Sequence, residues 1–116
     1  MALTKRVTWE PIRSVNTATS VPFAAGSYVQ MGTALANPSF ILKMVNLSNV
    51  NVLVSFDGTN DYDICPANGF WLYDEDAGGN NNQFLPKGTP ILIKNAAGAA
   101  AGIGLVYLVT QYIINV

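Results

Sequence analysis

The residues best placed to do chemistry lie near the middle of the chain, in Asp57-Gly58-Thr59-Asn60-Asp61-Tyr62-Asp63, where three carboxylates and an amide fall within one short run. Clustered oxygen ligands of this kind suit calcium. The spacing departs from an EF-hand loop, because no glycine stands at the sixth position counted from Asp61 and no glutamate at the twelfth; Asp74 with Asp76 fails the second test as well. A solvated turn is the simpler reading. A second grouping sets Asp63, Asp74 and Glu75 around Phe70, Trp71 and Tyr73, the pairing of carboxylates and aromatic platform that glycan chemistry uses. An aromatic strand in a β-protein is more often core or interface. Passive glycan or receptor binding through Trp71 is kept as an alternative. The single cysteine, Cys65, has apolar Ile64 and Pro66 as neighbours and reads as a small buried hydrophobe rather than a nucleophile. There is no histidine, which removes Ser-His-Asp and Cys-His catalysis, His-ligated zinc and the commonest general base near neutral pH. Gly98, Gly102 and Gly104 form no phosphate loop, since no Lys-Ser/Thr follows them. The expectation is a protein that is not an enzyme and has no cofactor or metal.

Composition says what such a chain does instead. In 116 residues, enough for one domain, half the side chains are hydrophobic and only 11% are charged, against roughly 25% in an ordinary soluble domain. Thirteen charged side chains spread over a folded surface of about 6,000 Å² leave it thinly charged. Much of that surface is therefore expected to be buried between subunits; the competing reading is a neutral, Asn-rich monomer. A net charge of −1 argues against nucleic acid as the main ligand, because phosphate binding needs a concentrated basic face. Lys5, Arg6 and Arg13 cluster near the N-terminus, where they read as a docking arm. The first residues, Met1-Ala2-Leu3-Thr4-Lys5-Arg6-Val7, lack the apolar run of a secretory signal, so synthesis in a host cytoplasm is expected.

The elements that must position these residues are strands. No segment sustains a period of 3.6, while β-branched and aromatic residues recur in short runs separated by Gly, Pro, Asn and Asp. The clearest strand is 50–56, with Val50, Val52, Val54 and Phe56 on one face. Residues 40–47 form a second, and Ser48-Asn49 between them predicts a central hairpin. Further strands are expected at 7–12, 27–31, 62–65, 70–73, 90–94 and 103–114. About eight short strands suit an all-β sandwich of jelly-roll type. Pro11, Pro22 and Pro38 place an N-terminal arm and edge strand at 1–26 ahead of a core domain at 27–116. Deleting residues 1–20 is accordingly expected to leave folding intact. Residues 74–82 read as a loop and 86–89 as a turn. The Ala- and Gly-rich 96–104 with its apolar continuation is too short before Thr110 and Gln111 to span a membrane and reads as a turn feeding a final strand.

The run Leu35-Ala36-Asn37-Pro38, then Ile41-Leu42-Lys43-Met44-Val45-Asn46-Leu47-Ser48-Asn49 and Val54-Ser55-Phe56-Asp57-Gly58, resembles small virion proteins of tailed bacteriophages and prophages. Pro66-Ala67-Asn68-Gly69-Phe70, Tyr73-Asp74, Phe84-Leu85-Pro86-Lys87-Gly88-Thr89 and the 104–109 strand follow in the order such proteins show, so the likeness covers about residues 27 to 112. The resemblance implies a β-sandwich structural component of the virion. Capsid decoration or cement is the leading role; neck, collar or tail/fibre subunits are the alternatives. It implies homo-oligomeric packing and contacts with capsid, portal or tail proteins, with no nucleic acid and no membrane. It carries no active-site residues across.

Overall fold

The protein is described here from a computed structural model, covering residues 5–39, 41–74, 85–96 and 104–115. It is all-β. Among the described residues, nine strands and one short helix follow in the order β1 Lys5–Trp9, β2 Arg13–Asn16, α1 Val21–Ala24, β3 Val29–Gln30, β4 Ile41–Asn46, β5 Val52–Ser55, β6 Asp63–Cys65, β7 Phe70–Asp74, β8 Leu92–Asn95 and β9 Leu105–Asn115. They build two antiparallel sheets: a front sheet ordered β1/β2, β9, β4, β7 and a back sheet ordered β3, β8, β5, β6. Sheet membership alternates along the chain, so that every connection after β2 crosses between sheets except the β5–β6 pairing. With β1 and β2 taken as one interrupted strand, this is the eight-stranded jelly roll.

The core is the layer between the sheets. Leu42, Met44, Trp71, Val106 and Leu108 face inward from the front sheet, and Val52, Val54, Cys65 and Ile93 from the back. Val50 and Phe56 pack on the same cluster, so the alternation read along 50–56 marks a core face. The helix was not anticipated from periodicity, since four residues are too few to show it. Its signal is local: Ser20 accepts from the Phe23 amide as the cap, Pro22 supplies a preset φ in the first turn, and Phe23 is sealed in the core.

The expected hairpin of 40–47 with 50–56 does not form. β4 pairs with β9 and β7 while β5 pairs with β8 and β6, so the chain arches from one sheet to the other at Ser48-Asn49. A two-residue turn would keep both strands in one sheet. Asn46 is what makes the arch cheaper. Fully buried, its Nδ2 is aimed among the carbonyls of Val50 (2.9 Å), Pro66 (3.2 Å) and Cys65 (3.3 Å). Its Oδ1 accepts from the Ser48 amide (2.9 Å) and hydroxyl (2.6 Å). One side chain thus satisfies backbone groups of two neighbouring crossings, β4–β5 and β6–β7. Gly104 enters β9 beside the same arch with φ +119°, where an added Cβ would lie 2.4 Å from the Leu47 carbonyl oxygen.

Residues 5–16 are bound along β9 as an edge strand and do not project as an arm. β1 holds the register Trp9↔Gln111 and β2 holds Arg13↔Leu108, so Glu10, Pro11 and Ile12 oppose only Val109 and Thr110. The extra residue is a bulge, and Pro11 sits where no ladder amide is needed. Because Val15 enters the core and Arg13 is buried, removing residues 1–20 would strip a strand from the front sheet. The expectation that this deletion leaves folding intact is corrected accordingly. The 86–89 turn forms as expected, with Thr89 donating back to the Pro86 carbonyl. Residues 75–82 and most of the 96–104 stretch lie outside the described residues. Among the described residues, no helix is long and apolar enough to cross a membrane.

Candidate functional site

The carboxylates of the 57–63 run are turned to separate partners. Asp57 closes its own turn, accepting from the amides of Thr59 (2.8 Å) and Asn60 (3.0 Å) and from the Tyr62 hydroxyl (2.5 Å). These donors, Tyr62 foremost, hold its carboxyl far below the usual carboxylate range. Asp61 accepts from the Tyr28 hydroxyl and pairs with Lys94 at 3.3 Å, and the Lys94 ammonium also lies 4.8 Å from the Tyr28 ring centre. Asp63 accepts from the indole Nε1 of Trp71 at 2.6 Å.

That last bond shows where Trp71 is. It faces the core, 7% exposed, in ring contact with Phe56 and Tyr73, and so presents little of an aromatic platform to a glycan. Cys65 is fully buried and burial pushes its thiol up to about 11. Arg13 is also inside: its Nη2 meets Glu10 Oε1 at 2.7 Å and the Ala34 carbonyl at 3.2 Å, its Nη1 reaches Thr110 Oγ1 and its Nε the Thr33 carbonyl. Glu10 in turn accepts from the amide and side chain of Asn37. This cation locks the bulge to the β3–β4 connection, which leaves little of it for docking a partner. Lys5 and Arg6 lie on β1, opposite Asn115 and Ile114, and their side chains are outside the described residues.

What the structure brings together instead is an apolar outer surface. Directly opposed residues of an antiparallel ladder share a face, and the inward set here is Trp71, Met44 and Leu108. The alternate set therefore points out from the front sheet. Across its strands run the rows Phe70, Val45, Tyr107, Ser14 and Leu72, Lys43, Val109, with Asp74, Ile41, Gln111 and Trp9 in register beyond them. Phe70 is 63% exposed, Trp9 58% and Leu72 52%. Leu47, Val7 and Ile113 extend the surface at its ends. Among the described side chains of this face, Lys43 is the one charge. At the usual strand spacing and rise, the front sheet presents about 500 Å² of area. The outer face of the back sheet differs, because the Tyr28, Asp61 and Lys94 cluster gives it fixed charge.

Of these outward residues, sequence reasoning singled out Phe70, as part of an aromatic platform for glycans, and did not read the face as a whole. A signal was present, in that Ile41-Leu42, Met44-Val45, Phe70-Trp71-Leu72-Tyr73 and Leu105 to Val109 are apolar on both faces of a strand, where a sheet with one wet face shows alternation. Comparison with models of known protein families gives no match, and comparison with curated proteins gives none either.

Proposed function

We propose that this chain is a non-enzymatic structural protein of a bacteriophage particle, most specifically a capsid decoration or cement subunit, residing in the virion after synthesis in a host cytoplasm. One observation carries the packing role: apolar side chains on β1, β4, β7 and β9 share the outward face of the front sheet, with Lys43 its one described charge and polar Ser14 and Asn16 on β2. Burying such a face against other virion proteins, or other copies of the chain, contributes about 25 cal/mol per Å² before the costs of association. The jelly-roll connectivity is compatible with this role but does not select it, because one fold serves many functions. The assignment to a phage particle rests on the turn and strand patterns of residues 27 to 112. Neck, collar and tail subunits share the same packing chemistry.

The test is the protein inventory of purified particles from the genome that encodes the chain, followed by a density map. The chain should be present in fixed stoichiometry, and Phe70→Lys with Leu72→Lys should fold normally yet fail to incorporate. Absence from the particle, or equal incorporation of the double variant, would overturn the proposal. Density on the shell supports decoration; density at the portal or tail reassigns the address.

A further inference from the structure

We infer that Asn68-Gly69 is a latent deamidation site, held shut in the folded chain by the β4–β5 crossing and opened to reaction when the turn that contains it comes loose. This inference is independent of the packing role proposed above. The pair is the one Asn-Gly in the sequence. With no side chain on residue 69 to obstruct it, the Gly69 nitrogen can attack the carbonyl carbon of the Asn68 side chain. A bond forms between that nitrogen and Cγ, the Cγ–Nδ2 bond breaks, and the Gly69 amide proton departs with Nδ2 as ammonia. Water then opens the cyclic imide at one carbonyl or the other, giving aspartate or isoaspartate.

The fold calls for this pair. β6 and β7 are joined by a turn in which the Gly69 amide donates to the Pro66 carbonyl at 3.0 Å. Asn68 takes its third position with φ +55°, a conformation that glycine and asparagine adopt most readily. An added Cβ on Gly69 would lie 2.8 Å from Pro66 Cγ, so the turn favours glycine there. What holds the reaction shut is that each amide of the turn has an acceptor. Ala67 donates to Asn51 Oδ1 at 2.9 Å, Asn68 to the Ser48 carbonyl at 3.3 Å and Gly69 to Pro66. From the crossing, Asn46 donates its backbone amide to the Gly69 carbonyl at 2.9 Å and its Nδ2 to the Pro66 carbonyl at 3.2 Å. The Gly69 nitrogen therefore keeps its proton on an acceptor and its peptide plane is tied on both sides, which stops it turning onto Cγ. Asn68 itself is exposed to the water that the second step consumes. Asp57-Gly58 is open to the same cyclisation, but its carboxylate is held ionised and accepts from the Thr59 and Asn60 amides, so it is a poor target for attack. At residue 68 the side chain is a neutral amide, and the turn alone protects it. Opening to isoaspartate would add a backbone atom just before Gly69, disturbing the register of Phe70 opposite Val45.

The test incubates the purified full-length chain at mildly alkaline pH and reads the mass change and isoaspartate content at residue 68 by peptide mapping. In denaturant Asn68 should convert readily. In the folded chain the rate is the denatured rate multiplied by the fraction of time the turn is open, and it should be at least about tenfold lower. Asn51→Ala, at an exposed residue, removes the acceptor of the Ala67 amide and leaves the core untouched. It should raise the rate in the folded chain about fivefold, the equivalent of one hydrogen bond, with circular dichroism establishing that the variant is folded. Lys87→Met, in the 86–89 turn, should react as wild type; a rise equal to that of Asn51→Ala would overturn the assignment to the crossing. Equal rates in the folded and denatured chain would overturn the inference, as would a denatured chain that keeps its Asn68 amide. So would Asn51→Ala reacting no faster than wild type, since the crossing is then not what holds the turn shut.

Discussion

Replacing Arg13 by Met asks whether the edge strand is held by the ion pair at its bulge. The substitution keeps an unbranched apolar stem but removes four hydrogen bonds: to Glu10 at 2.7 Å, Thr33 O at 2.9 Å, Thr110 Oγ1 at 3.2 Å and Ala34 O at 3.2 Å. It leaves the Glu10 carboxylate, on a residue 7% exposed, without its counter-charge. Breaking one side of a buried pair costs about 3–5 kcal/mol, a large share of the roughly 5–15 kcal/mol that holds a domain folded. Urea denaturation at pH 7 should show that loss as a lowered midpoint. Glu10→Met should cost a similar amount, because it also strands the Asn37 and Ala36 amides that bind the carboxylate. The double variant should cost less than the sum by about 2–3 kcal/mol, the coupling between neighbours in one network. pH gives a second reading. Burial pushes the Glu10 carboxyl up, but hydrogen bonds from Arg13, Asn37 and Ala36 outweigh it, so the folded value lies below the ordinary 4.5. A depressed folded value means the stabilisation is complete above the unfolded value and is lost as pH falls through the folded one. The penalty of Arg13→Met should therefore shrink below about pH 4.5. A penalty under about 1 kcal/mol at pH 7, additive single variants, or a penalty that ignores pH would refute the reasoning.

Gly104→Ala should destabilise by about 3–5 kcal/mol in thermal or urea unfolding, combining a backbone conformation that L-residues avoid with a Cβ 2.4 Å from the Leu47 carbonyl oxygen. Asn46→Leu keeps the volume but strips the buried Ser48 amide of its acceptor and takes one donor from the carbonyls of Val50, Cys65 and Pro66 at two sheet crossings; a loss of about 3–5 kcal/mol is expected, and a loss below 1 kcal/mol would show that the arch stands without it. Cys65 should resist a thiol-specific disulfide reagent in the native chain at pH 8 and react promptly in denaturant; rapid native reaction would contradict its complete burial and raised thiol.

The strands were legible because turn chemistry and β-branched runs are local. Asp57-Gly58, with the glycine at φ +74°, and the turn around Gly88, at φ +91°, end elements where the sequence places them. Which strand pairs with which was not legible at Ser48-Asn49. A two-residue hairpin and a sheet-crossing arch share the same short polar link, and the deciding contacts run from Asn46 to Cys65 and Pro66, distant in sequence. Arg13 shows the same limit for the candidate site. Its charge reads as a surface feature until the fold places Glu10 and the 33–37 segment around it. Conversely, the charge deficit is a property of the whole chain, and its counterpart in the structure is the set of exposed apolar residues on the front sheet, Trp9, Phe70 and Leu72 among them.

The position of β9 has a consequence for how the molecule forms. It is the spine of the front sheet, pairing with β1 and β2 on one side and β4 on the other, and the Lys5↔Asn115 register joins residues at opposite ends of the described chain. During synthesis β4 can pair with β7, but β1 and β2 have no neighbour on which to zip until residues 105–115 have left the ribosome. Closing the long loop from β1 to β9 places folding in the slow range of about milliseconds to seconds. Through that wait the Phe70 and Leu72 side of β7 and the Ile41 and Val45 side of β4 stand open together with their inward faces. The nascent chain is thus a natural client for a holding chaperone, and crowding on a polysome favours strand exchange between neighbouring copies.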